Sequence, residues 1–164
     1  MGRSKRVNTK SMTPVEKIAS SDLDYVAEVV ELAERAKAFL SSKRWCKEIV
    51  KGWLDFACGY IIGVFYFELV PAKPDVPDSV WVIVGDLPSA YLAVEFCSNG
   101  DEAMEGYVAE MQEWVDRVMD GRPLDDDVIP VNVPPTEEWA KELQWRLDFI
   151  KRDFLGQVDD KPEA

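Results

Sequence analysis

The chain is predicted to be an α+β domain, with a three-stranded antiparallel sheet over about residues 60–70, 80–85 and 90–96. Two helices precede this sheet and two follow it, in the order ααβββαα. Three observations carry the expectation. The run Tyr60–Phe67 is rich in β-branched and aromatic residues and apolar on both parities, as in a strand covered on both faces. The segments on either side space their apolar residues three and four apart, the helical period. Strands and helices do not alternate, which argues against a doubly wound parallel fold.

The first helix is expected after Ser21-Asp22-Leu23-Asp24, where a capping hydroxyl precedes acids of the first turn. Leu23, Val26, Val30, Ala33 and Leu40 keep its spacing, and Glu31 stands four residues before Arg35. Ser41-Ser42 ends that pattern. Trp45, Ile49, Trp53 and Phe56 or Ala57 then predict a second helix, weakened by Gly52 and stopped at Gly59.

The first strand runs from Tyr60 to Val70. Pro71, Pro74 and Pro77 make the next segment a connection. Val80–Val84 is a second buried strand, and Gly85-Asp86-Leu87-Pro88 a turn. In the third strand Leu92, Val94 and Phe96 point one way, with Tyr91 and Glu95 the other.

Ser98 or Asn99 caps a long helix from about Asp101 to Asp120, stopped by Gly121. Residues 122–135 hold four prolines and Asp125-Asp126-Asp127, a length typical of functional loops. Thr136 caps the last helix, whose stripe is Trp139, Leu143, Leu147, Ile150 and Phe154. Glu142/Arg146 and Asp148/Arg152 are its i,i+4 pairs, and Gly156 ends it. The expected organisation is a disordered basic arm (1–19), a single α+β domain (20–156) and a polar tail (157–164).

At 164 residues, 47% hydrophobic and 30% charged, the chain has the size and composition of one folded domain. Cys46, Cys58 and Cys97 are odd in number and lack CxxC spacing, so neither a disulfide framework nor a four-thiolate zinc site is expected. Free thiols in apolar surroundings, no N-terminal apolar run and no stretch of ~20 apolar residues point to a cytoplasmic protein without a membrane span.

The net charge of −12 is uneven: Arg3, Lys5, Arg6, Lys10 and Lys17 against Glu16 leave the arm at +4 and the remainder at −16. Direct nucleic-acid binding by the globular part is therefore disfavoured. Absence of histidine removes His-dependent nucleophilic catalysis and most catalytic zinc sites, and no phosphate-cradling glycine motif occurs.

On the long helix, Met104, Tyr107, Val108, Met111, Trp114, Val115, Val118 and Met119 fall on one side. Asp101, Glu102, Glu105, Glu110, Glu113, Asp116 and Asp120 fall on the other. With Asp125, Asp126 and Asp127, and less Arg117 and Arg122, the stretch 101–127 carries −8. Uncompensated like charges three and four apart weaken a helix, so this face is expected to meet a basic protein surface. The triple aspartate lacks the spacing of a calcium loop, and no metal or cofactor is assigned.

Trp81-Val-Ile-Val-Gly-Asp-Leu-Pro-Ser-Ala-Tyr91, with Trp45-Cys46 upstream and a following helix bearing Trp114, resembles small bacterial families of uncharacterised function with a W-x-[IV]-x-G-D-[LM]-P-x-x-[YF] segment. The resemblance covers about residues 45–120. It implies a bacterial, cytoplasmic α+β domain and brings no activity or catalytic residue.

Three functional classes follow. The first is an acidic protein-interaction module, such as an inhibitor, an immunity-type partner or an accessory subunit, docking through Glu102, Glu105, Glu110, Glu113, Asp116, Asp120, Asp125, Asp126 and Asp127. The second is a small-ligand-binding or carboxylate/Mg²⁺-dependent domain using Asp86, Tyr91 and Glu95. The third is a self-assembling homo-oligomer that buries Trp145 or Trp53 between copies.

Overall fold

The computed structural model describes residues 7–156. The basic residues Arg3, Lys5 and Arg6 and the expected polar tail 157–164 lie outside the described residues. The chain divides into two compact units, Met1–Ala103 and Met104–Ala164.

The first unit is α+β and differs from the expected three-stranded arrangement. Its antiparallel sheet has five strands in sequential order: β1 (Thr13–Pro14), β2 (Cys46–Cys58), β3 (Ile62–Pro71), β4 (Ser79–Gly85) and β5 (Ala90–Ala93). Between β1 and β2 come a 3-10 turn, Val15–Ser20, and helix α1, Val26–Ser41. The helix expected over Trp45–Gly59 is thus a strand.

Bulges explain why that strand imitates a helix. Cys46, Ile49, Gly52, Leu54 and Ala57 of β2 pair with Pro71, Leu69, Phe67, Phe65 and Gly63 of β3. The β3 partners step by two, the strand period, whereas the β2 residues step by three, three, two and three. Irregularities at Cys46/Glu48, Ile49/Lys51 and Leu54/Phe56 supply the extra residues. Pairing with ten residues of β3 overrides a spacing that, read alone, looks helical.

The face of the sheet carrying Leu54, Phe65, Phe67, Leu69, Val80, Val82 and Val84 packs against Val29, Leu32, Ala33, Ala36 and Leu40 of α1. On the opposite face Val64, Tyr66, Trp81 and Ile83 are also buried, so β3 and β4 are apolar on both sides. The segment read from sequence as a solvated arm contributes β1, paired with Trp53 and Leu54, and the fully buried Ile18.

Two boundaries move. Ser21 does not start α1: its hydroxyl donates to the Ile18 carbonyl and accepts from Leu23 N–H, closing the 3-10 turn. The residue before α1 is Tyr25, in the left-handed region at φ 58° with no side-chain cap. Strand β5 stops at Ala93 because Val94–Phe96 winds into a 3-10 turn, leaving Phe96 80% exposed rather than aligned with Leu92.

Helix α2 spans Gly100–Asp120, and the division between the units falls after its Ala103. The second unit continues with the loop 121–136 and α3, Glu137–Asp153. Thr136 Oγ1 accepts from Trp139 N–H as the sequence predicts. Met104, Tyr107, Val108, Met111, Trp114 and Val115 are buried, as are Ala140, Leu143, Leu147 and Ile150 of α3. Trp139, placed in that stripe by sequence, is largely exposed. The Gln112 and Gln144 amides exchange hydrogen bonds between α2 and α3. Among the described residues, no helix is long and apolar enough to cross a membrane.

Candidate functional site

The nine carboxylates do not form one equivalent set. Glu102 accepts from the backbone N–H and the hydroxyl of Ser98, at 2.7 and 2.9 Å, while Asn99 Oδ1 accepts from Glu102 N–H. This reciprocal cap satisfies amides that the helix itself cannot. Glu102 therefore works at the start of α2.

The other eight lie in the second unit, from Glu105 to Asp127. Arg117 organises four of the groups around it. Its side chain is mostly covered and donates from Nε to Glu113 at 2.6 Å and from NH1 to the Pro123 carbonyl at 3.3 Å. It also stands 3.6 Å from Asp125 and 3.4 Å from Asp127. The hydrogen bond to Glu113 holds the guanidinium above its ordinary range, burial works against this, and the bond to Asp127 adds to it. Gly121 adopts φ 68° and Arg122 N–H returns to the Arg117 carbonyl, so the loop turns back over the end of α2. Arg122 pairs with Asp120 at 3.2 Å.

Arg117 and Arg122 form ion pairs with four of the eight carboxylates: Glu113, Asp120, Asp125 and Asp127. Along α3, Arg146 pairs with Glu142, Lys151 with Asp148 and Arg152 with Asp153. The Asp148/Arg152 pair expected from spacing is replaced by these neighbours. Residues 104–127 keep a formal charge of −6, and Glu105, Glu110, Asp116 and Asp126 are in no ion pair among the described residues.

Beside the clasped loop is an open groove of about 410 Å³. Buried Trp114 and Val128 form its base, Leu124, Ile129 and Val131 its apolar walls, and Asp125 and Asp126 its charged rim. Sequence reasoning found the aspartates but missed the groove. Its signal was the apolar run Val128-Ile129-Pro130-Val131, too short and too proline-rich to be an element of its own.

Asp86, Tyr91 and Glu95 do not converge. Asp86 follows Gly85 at one end of β4, and its N–H donates to the Tyr60 and Ile61 carbonyls. Tyr91 pairs with Val82 and contacts the rings of Trp45 and Phe39, at 4.8 and 6.4 Å between centroids. Glu95 lies beyond Ala93, which pairs with Val80 at the opposite end of β4. Of the tryptophans considered for self-assembly, Trp53 is buried against Tyr66, whereas Trp145 is 64% exposed and stacks on Phe149.

Cys46, Cys58 and Cys97 form no disulfide with one another, and burial pushes the Cys46 thiol up, away from reactive thiolate character. Burial likewise raises the Tyr107 phenol, and Arg146 opposes it.

One carboxylate in the first unit is held at a cost. Asp55 of β2 lies against Gly100, the first residue of α2. Burial raises its pKa above 3.8, and the charge of Asp101 raises it further. The folded state therefore binds the Asp55 proton more tightly than the unfolded chain does. Stability falls as pH rises from about the unfolded value through the folded one, and the deficit persists at neutrality. Asp55→Asn is expected to raise the urea midpoint at pH 7, with the gain shrinking toward zero below about pH 4. Equal gains at both pH values would refute this assignment.

Compared with known protein families, characterised proteins and solved structures, the chain has no match.

Proposed function

We propose that the chain is an acidic protein-interaction module that docks on a basic partner surface, as an inhibitor, immunity-type partner or accessory subunit would. One observation carries this reading. Arg117 and Arg122, which pair with Glu113, Asp120, Asp125 and Asp127, belong to residues 104–127 themselves, and with both counted the stretch keeps a formal charge of −6. Glu105, Glu110, Asp116 and Asp120 are exposed on α2, and like charges at this density repel. Their field extends about a Debye length, ~8 Å at physiological salt, and steers a cationic surface during encounter.

Capture from a lysate of the source organism tests the reading. The tagged chain is expected to retain a protein at about 50 mM salt and to release it at about 500 mM. A variant with Glu105→Gln, Glu110→Gln, Asp116→Asn and Asp120→Asn is expected to retain little at either. Failure to recover a salt-sensitive partner, or equal retention by the neutralised variant, would remove the proposal.

A further inference from the structure

We infer that the groove beside the Arg117 clasp receives an extended apolar–cationic segment of the partner, in which Arg or Lys alternates with a Leu-sized side chain. The inference rests on the interaction-module reading and specifies what that module grips.

The groove combines two chemistries that one kind of segment satisfies. Its base and walls are apolar, and Leu124 remains 40% exposed although it belongs to a loop fixed by hydrogen bonds and ion pairs. Covering such a wall with a hydrocarbon side chain is favourable at roughly 25 cal/mol per Å². The rim is anionic. Arg117 approaches Asp125 and Asp127 from the helix side, while Asp126 has no ion pair among the described residues and lines the groove. A cation there meets an uncompensated carboxylate, and its aliphatic stem lies along the apolar wall.

Charge complementarity selects the occupant. A purely apolar segment leaves Asp126 unmatched, and an acidic one is repelled by the −6 of the surrounding stretch. The volume of about 410 Å³ lies within the range of small-ligand pockets, roughly 300–1,000 Å³. It accommodates a short stretch of chain rather than a folded surface. The neighbouring carboxylates of α2 continue the negative field from the groove along the helix, so residues flanking the segment also meet favourable potential.

The full chain, labelled with ¹⁵N, tests this by amide chemical shifts on titration with acetyl-Arg-Leu-Arg-Leu-amide. Shifts are expected at the amides of Trp114, of residues 124–129 and of Val131. Acetyl-Arg-Gly-Arg-Gly-amide is expected to bind about fivefold or more weakly, and acetyl-Glu-Leu-Glu-Leu-amide to leave these amides unmoved. Leu124→Ser and Asp126→Asn, both at exposed positions, are each expected to weaken the Arg-Leu peptide several-fold while preserving the dispersion of the spectrum. Equal binding of the Arg-Leu and Arg-Gly peptides along residues 105–120 would overturn the groove and leave the acidic module standing. Equal binding of the Glu-Leu peptide, or no shift at the groove with any peptide, would also overturn it. Salt-sensitive capture judges the module reading separately.

Discussion

Trp81→Ala is expected to destabilise the protein by about 3–5 kcal/mol, the range for truncating a large buried aromatic side chain. Trp81 is fully buried at the centre of the sheet, paired with Tyr66 on one side and Leu92 on the other. Its ring lies 5.4 Å from that of Tyr66, and its indole N–H donates to the Cys97 carbonyl at 2.8 Å. The 3-10 turn after β5 brings that carbonyl within reach. Trp81 therefore ties the chain that leads toward α2 back to the middle of the sheet. Two losses are combined in the alanine variant, and Trp81→Phe separates them. Phenylalanine keeps most of the packing but removes the donor used by the Cys97 carbonyl, for an expected cost of about 1–3 kcal/mol. Urea unfolding followed by far-ultraviolet circular dichroism reads both variants. If Trp81→Phe costs as much as Trp81→Ala, the hydrogen bond rather than packing dominates. If alanine costs under about 1 kcal/mol, Trp81 is not a keystone of the core.

What the sequence revealed and what it concealed divide along physical lines. Strands β3 and β4 were legible because burial on both faces leaves a continuous apolar run that needs no period to recognise. Helix α3 was legible because a single hydroxyl, Thr136, fixes its start. Strand β2 was not, since its bulges displace alternate residues and convert a period of two into steps of three. The two-residue β1 offers too little sequence to signal a strand, and exists through pairing with Trp53 and Leu54. Phe96 was misplaced because alternation cannot announce where a strand winds into a 3-10 turn.

The candidate site shows the same division. Composition located the negative charge, but long-range geometry assigned its parts. Ser98 and Asn99 draw Glu102 into a cap, and Arg117 draws Glu113, Asp125 and Asp127 inward. Asp126 and the upper face of α2 remain to act outward. Sequence proximity likewise suggested a cluster of Asp86, Tyr91 and Glu95, yet extended chain carries residues apart by about 3.3 Å each and reverses their facing. Similarly, Glu31 and Arg35, an i,i+4 pair by spacing, serve other partners. The Glu31 carboxylate takes the Tyr60 hydroxyl and raises its pKa, while Arg35 donates to the Gly85 carbonyl at 3.0 Å.

That last contact leads to a position where one added carbon is expected to cost roughly 2–5 kcal/mol, Gly85→Ala. Gly85 ends β4 at φ 147°, a conformation that side-chain-bearing residues rarely adopt. A Cβ there would collide with the Ile61 carbonyl oxygen and stand 2.8 Å from Ile62 Cα, both backbone atoms that no rotamer change can move. Relief requires separating the end of β4 from the start of β3. That movement strains the Asp86 N–H bonds to Tyr60 and Ile61, at 2.9 and 3.1 Å, and the Arg35 bond that joins α1 to the turn. Gly59→Ala is the matched control at the tip of the adjacent hairpin. It also has a positive φ, 52°, but a Cβ there would meet its nearest neighbour, the Tyr25 ring, at an ordinary 3.9 Å. The control is expected to cost only the left-handed penalty, about 1–2 kcal/mol. The difference between the two urea midpoints therefore measures the backbone collision. Equal midpoints would mean that the β3–β4 end yields freely and that Arg35 and Asp86 do not fix it.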